Sequence, residues 1–267
     1  DSRKHLPLVK TDEGWKVIQN GFSRHDENDY YEDALSLMIA PYAKLATIYL
    51  GDERKRTAGR SSGRGLHYTM GDSIVDIWHW RSLRSGATLQ QVDDSYFGPA
   101  QESGDTHSHR YTGGYRNDPD SGGGFAMNWQ SFAEDIVQPL RLPKNKQSLP
   151  VLDDIDLSPD TSDTGKFWLD WDDTVEYSEK KDNYPLGTLL PSVLIKQPFQ
   201  GDRGDVAAVA RWHNGRWQVE IKRRLNTGSE YDVSFTKNKP VYLRVAVFNH
   251  SQHRHSWHLH PLKVTLQ

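Results

Sequence analysis

Apolar residues in this sequence arrive in short, strand-like bursts. "ALSLMIAP" (34–41), "KLATIYL" (44–50), "PVYLRVAVFN" (240–249) and "LKVTL" (262–266) each run only a few residues before polar or turn-forming ones intervene. β-branched and aromatic side chains recur in them, which suits a pleated, half-buried surface. The clearest unit is "DVAAVARWHNGRWQVEIKRRL" (205–225), where Asn214-Gly215 separates two tryptophan-bearing runs. Asn-Gly tolerates the positive φ that a type I′ turn needs at both central positions, and that turn matches strand twist. "SIVDIWHWRS" (73–82) alternates in part, which would put Ile74, Asp76, Trp78 and Trp80 on one face and Val75, Ile77 and His79 on the other. One helix is expected, over "WQSFAEDIVQPLR" (129–141), closed by a proline. The fold class that follows is all-β: a β-sandwich with long loops and one short helix.

Long polar connections separate these elements. "GDERKRTAGRSSGRG" (51–65) is basic and glycine-bearing, 98–124 is longer and similar, and "DDIDLSPDTSDTG" (153–165) is acidic. Connections of this length in a compact domain usually carry function or are disordered. At 267 residues the chain can bury one large core, and with no repeat and no composition break it reads as a single domain, 1–267. Its 33 basic and 36 acidic residues give no electrostatic case for nucleic acid or an anionic membrane. No apolar run approaches the roughly 20 residues of a membrane helix. The opening "DSRKHLPLVK" holds no signal core, so the sequence reads as cytosolic, processed or a fragment. The absence of cysteine excludes disulfides, iron–sulfur clusters and thioether attachment of a c-type haem.

The chemistry-bearing feature is "NHSQHRHSWHLHP" (249–261), with His250, His253, His255, His258 and His260. In an extended segment His253 and His255 share one face and His258 and His260 the other, so all four cannot meet on one ion without a bend. A zinc or copper site would need further ligands, such as His67 or Asp93, at no diagnostic spacing. A solvated strand end is the second reading, and a single axial haem ligand the third. A haem would commonly take a methionine opposite an imidazole, and only Met38, Met70 and Met127 are available. Met38 lies in an apolar strand; Met70 and Met127 each have glycine nearby, which lets backbone approach a flat ligand. Asp93-Asp94 reads as a turn or capping pair. The acidic loop with Asp153, Asp154, Asp156, Asp160 and Asp163 lacks EF-hand spacing and reads as solvated.

Five motifs occur in order: "YTMGDSIVDIWHWRS", "QQVDDSYFG", "GGYRNDPDSGGG", "ARWHNGRWQVEIKRRL" and "VAVFNHSQHRHS". The series resembles the haem-binding domain of ethylbenzene-dehydrogenase-type gamma subunits and cytochrome c-552-like proteins, from about Gly14 to the C-terminus. The resemblance implies a β-sandwich related to sugar-binding modules, holding a non-covalent haem b between a methionine and a lysine or histidine. The family methionine falls on Met70, before Gly71, and the second ligand on His255, after Arg254. His253 is the alternate to His255, and Met127 the rival of Met70. Trp78, Trp80 and Trp257 are candidates to wall the macrocycle, and Arg81, Arg84 and Arg254 to meet its propionates.

The sequence departs from the family in lacking the Cys-x-x-Cys-His of some relatives, in placing Arg81 where lysine is common, and in starting close to the region matching "DEGWKVI". A missing N-terminal segment, or a partner carrying a c-type haem, would cover the exposed edge. The function implied is electron transfer, without catalysis of its own, in a periplasmic respiratory system. Its partners would be molybdenum oxidoreductase subunits or another redox protein. The rival classes are a carbohydrate- or small-ligand-binding sandwich without haem, and a histidine-rich metal-binding protein.

Overall fold

The computed structural model describes residues 7–17, 32–45, 69, 72–99, 114–146, 149–151, 168–249, 255–258 and 260–267. Strands dominate, in several largely antiparallel sheets, and no helix among the described residues is long and apolar enough to cross a membrane. The largest sheet has seven strands. Ser256–Trp257, Pro240–Phe248, Ala34–Ala40, Val75–Arg81, Asp93–Phe97 and Tyr115–Asn117 lie side by side in that order, and Leu262–Thr265 also pairs with Pro240–Phe248.

The alternation read from "SIVDIWHWRS" is the alternation observed. On one face, Trp78 and Trp80 join Ile39, Val92 and Val241 in a core closed by the hairpin Ala207–His213/Arg216–Lys222 and by Val233. The Trp80 indole meets Trp217 of the hairpin edge-on at 5.1 Å between ring centroids. The hairpin turns through Asn214 and Gly215, at φ 51° and 71°, as a type I′ turn demands. On the opposite face, Ala40, Val75 and Ile77 pack with Met38, Phe97 and Tyr242.

A second body of sheet holds a separate core. Leu189–Leu190, Leu8–Thr11, Gly14–Val17, Ile136–Pro139 and Trp129–Ala133 form five strands around Leu8, Trp15, Leu142 and Leu194. Phe125–Met127, Val193–Ile195 and Trp168–Asp170 form three more, the last pair parallel.

Two expectations need correction. The segment 129–141 is not a helix but a hairpin, Trp129–Ala133 against Ile136–Pro139, turning at Glu134-Asp135 with Asp135 at φ 58°. Among the described residues, the longest helical segment, Ser82–Ala87, instead follows the Val75–Arg81 strand. The connection 98–124 is not all loop, because Tyr115–Asn117 and Asp120–Gly122 are strands. Residues 51–65 and 153–165 lie outside the described residues.

Candidate functional site

Two of the sequence's histidines meet on the face of the large sheet that the hairpin does not cover. His79 alternates with Val75 and Ile77, and its ring stacks on Phe248 at 5.4 Å and 27°. His255 lies on the same Phe248 ring at 4.7 Å. Phe248 belongs to Pro240–Phe248, whose alternation puts Tyr242, Arg244 and Ala246 on this side as well. The short strand Ser256–Trp257 pairs beside Val247 and Ala246. It brings Trp257 under the Arg244 guanidinium at 4.7 Å. The result is an aromatic shelf with one partly buried imidazole, His79, and one exposed one, His255.

The two imidazoles differ in electrostatics. Loss of hydration holds His79 well below the usual imidazole pKa, and the charges of Arg81, Arg84 and His255 add to this. His79 Nδ1 lies 3.1 Å from Arg81 Nη2. A guanidinium can only donate, so Nδ1 accepts and Nε2 carries the proton. Arg81 also reaches Asp93 Oδ2 at 2.5 Å. Asp93 Oδ1 accepts from Arg203 Nε at 2.6 Å, and Arg203 Nη1 goes on to Asp120 at 3.0 Å. Burial works against the charged form of Asp93, yet the two guanidinium groups hold its carboxyl below the usual carboxylate range. Glu32, fully buried, accepts from the backbone amides of Leu83 and Arg84 at 2.6 and 2.9 Å and pairs with the Arg84 guanidinium. That carboxylate pins the Ser82–Ala87 turn to the sheet. Arg81 and Arg84 are therefore each already matched to a protein carboxylate.

The remaining candidates scatter. Trp78 and Trp80, 9% and 1% exposed, point into the hairpin-covered core, away from His255. Trp257 does share His255's side and is 43% exposed. Met127 lies in Phe125–Met127, opposite Val193, in the three-stranded sheet. Met70, His253 and Arg254 lie outside the described residues. Thr69, just before Met70, bridges to Pro99, and its amide donates to the Gly98 carbonyl at 2.9 Å.

His258 has another task. The Val245 amide donates to its Nε2 at 2.9 Å, so Nδ1 carries the proton and donates to the His260 carbonyl. Both ring nitrogens are used in holding the chain end to the sheet, which leaves neither for a ligand. Sequence reasoning missed His79 and Phe248. The Trp-His-Trp alternation gave the face of His79, but only two successive strand pairings, through Ala34–Ala40, could bring Phe248 beneath it from far along the chain. Asp93 and Asp94, read as a turn or cap, sit inside the Asp93–Phe97 strand instead and face opposite ways.

No curated protein and no solved structure matches the chain. A protein-family model described as ethylbenzene dehydrogenase matches residues 1–259, and the chain belongs to that family.

Proposed function

We propose that the chain is a haem b-binding, electron-transferring subunit of an oxidoreductase complex, with His255 and Met70 as the residues that would hold the haem. The observation that carries the reading is the imidazole of His255, displayed on the aromatic side of a sheet whose opposite side is filled by Trp80 and the hairpin. The residues present fit such a group. Phe248, Trp257, Tyr242 and Phe97 supply apolar surface on that side, and Arg244 supplies a cation beside it. His79, next to His255, is kept neutral and adds no competing charge.

Met70 is favoured over Met127 because Met127 belongs to a different sheet. Haem iron would supply a reversible one-electron change, tuned toward higher potential by a thioether ligand. His255 and Met70 would hold the haem, and a group held by two protein side chains would serve electron relay and not oxygen chemistry. Association with other subunits of the complex, a molybdenum subunit among them, and a periplasmic location complete the proposal.

The test is an absorption spectrum of the purified protein, oxidised and dithionite-reduced, with a pyridine haemochrome assay. A Soret band, sharp reduced α and β bands and a b-type haemochrome are expected. No Soret band after reconstitution with haemin would overturn the reading and turn attention to glycan and metal binding.

A further inference from the structure

The hairpin-covered face of the same sheet holds an unusual charge. Strand alternation sends Asp76 and Asp94 to that face, and both are 0% exposed. Asp118, 2% exposed, follows the edge strand, and its amide donates to the Asp94 carbonyl at 3.2 Å. Asp205 precedes the hairpin, and Asp232, 9% exposed, follows it. One carboxylate oxygen from each of Asp76, Asp94 and Asp232 lies within 4.8 Å of the other two.

The protein answers this charge only in part. Arg223 Nη1 lies 2.6 Å from Asp76 Oδ2 and 3.0 Å from Asp232 Oδ1, while its guanidinium packs 4.9 Å from the Trp78 ring. The amides of Val233 and Ser95 donate to Asp76 Oδ2 and Asp94 Oδ1, at 3.1 and 3.0 Å. Thr227 donates to Asp232. Asp76 Oδ1, Asp94 Oδ2, both carboxylate oxygens of Asp118 and Asp205 Oδ1 are buried and have no hydrogen-bond partner among the described residues. Buried carboxylate oxygens are paired or coordinate a metal as a rule. Five carboxyl groups around one guanidinium, with five oxygens unanswered, call for a further cation.

We propose that Asp76, Asp94 and Asp232, with Asp118 and Asp205 beside them, form a calcium-binding site that fastens the large sheet to the chain on either side of the hairpin. The donors are all carboxylate oxygens, which suit a hard cation and not zinc or copper. Oxygens no more than 4.8 Å apart can all reach one ion at calcium bond lengths of about 2.4 Å, and calcium accepts an irregular all-carboxylate set where magnesium demands near-octahedral order and keeps several waters. In the absence of an ion, burial and the charges of Asp232 and Asp76 push Asp118 up to about 8. Asp94 is raised too, by burial and by Asp76, Asp118 and Asp232. A cation would relieve several of these carboxyl groups at once, whereas a proton serves at most the pair that shares it. The site is on the side of the sheet away from His255 and does not depend on haem.

The experiment uses the purified chain in two forms, as isolated and after chelation. Elemental analysis of the first is expected to find calcium at one equivalent per chain. The chelated protein should melt at least about 5 °C higher in millimolar calcium chloride than in chelator, and shift less in magnesium chloride. Calcium titration of the Asp94→Asn and Asp118→Asn variants should show binding weakened at least about tenfold. If a variant fails to fold, the wild-type melt and elemental analysis decide. Wild-type protein without bound calcium whose melt ignores calcium would overturn the site, as would unchanged calcium affinity in folded Asp94→Asn protein.

Discussion

One strand, Val75–Arg81, serves two regions that behave differently. Its Asp76, Trp78 and Trp80 are shut between sheet and hairpin, out of reach of water, and Asp76 Oδ1 and both indole N–H groups have no hydrogen-bond partner among the described residues. Its His79 and Arg81 look toward the shelf of Phe248, His255 and Trp257, where exposed rings remain. The closed side is where stability is concentrated and the open side is where a ligand can be met. A period of two residues divides the labour, so a substitution one position along the strand should change which property suffers.

The largest effect is expected at the buried ion pair. Arg223, 1% exposed in its side chain, faces Asp76 and Asp232, so Arg223→Ala strands charge in the core and should cost about 3–5 kcal/mol in urea unfolding. A loss below about 1 kcal/mol would mean the closed side is not closed. Trp80→Ala comes next, removing a fully buried indole at about 3–5 kcal/mol. Its counterpart on the open side, Trp257→Ala, removes a ring that is 43% exposed and should cost about 1 kcal/mol or less. Equal costs for the two tryptophans would erase the contrast between the faces.

A smaller effect probes how the turn after the strand is fitted to the core. A methyl group on Gly86 would stand 2.1 Å from Trp80 Nε1 and 2.9 Å from the Arg81 carbonyl oxygen. Gly86→Ala should therefore destabilise by about 1–3 kcal/mol through displacement of the indole. The readout is denaturation followed by tryptophan fluorescence, with a native emission maximum moved from that of the wild type.

Much of this division was legible in the sequence, and its limits have physical causes. Trp-His-Trp alternation and Asn214-Gly215 are local signals, and local signals survive translation into structure. The segment 129–141 was misread because Phe132, Ile136 and Leu140 mimic helical spacing. Phe132 and Leu140 are 71% and 40% exposed, so no apolar stripe exists. The deciding feature is Asp135 at positive φ, in a two-residue turn without glycine. The acidic cluster was invisible for another reason. Its five aspartates come from five separate stretches of chain, and each alone looks like a surface acid. Asp76 alone carried a hint, an acid placed on a face of tryptophans.

The smallest expected change in stability carries the most about function, because it separates two histidines three positions apart. His258 takes the Val245 amide on one nitrogen and donates with the other, so His258→Ala leaves a backbone donor unanswered and should cost about 1–2 kcal/mol. His255 is exposed and touches Phe248 by its ring, so His255→Ala should shift stability by no more than about 0.5 kcal/mol. If His255 is an axial ligand, that nearly silent substitution removes the six-coordinate reduced spectrum on titration with haemin, while His258→Ala keeps it in whatever fraction remains folded. The reverse pattern, with spectrum lost in His258→Ala and intact in His255→Ala, would make the strut the ligand and move the haem off the shelf. Loss in neither variant would shift the ligand to His253, the alternate two residues away, and His253→Ala is the variant that then decides.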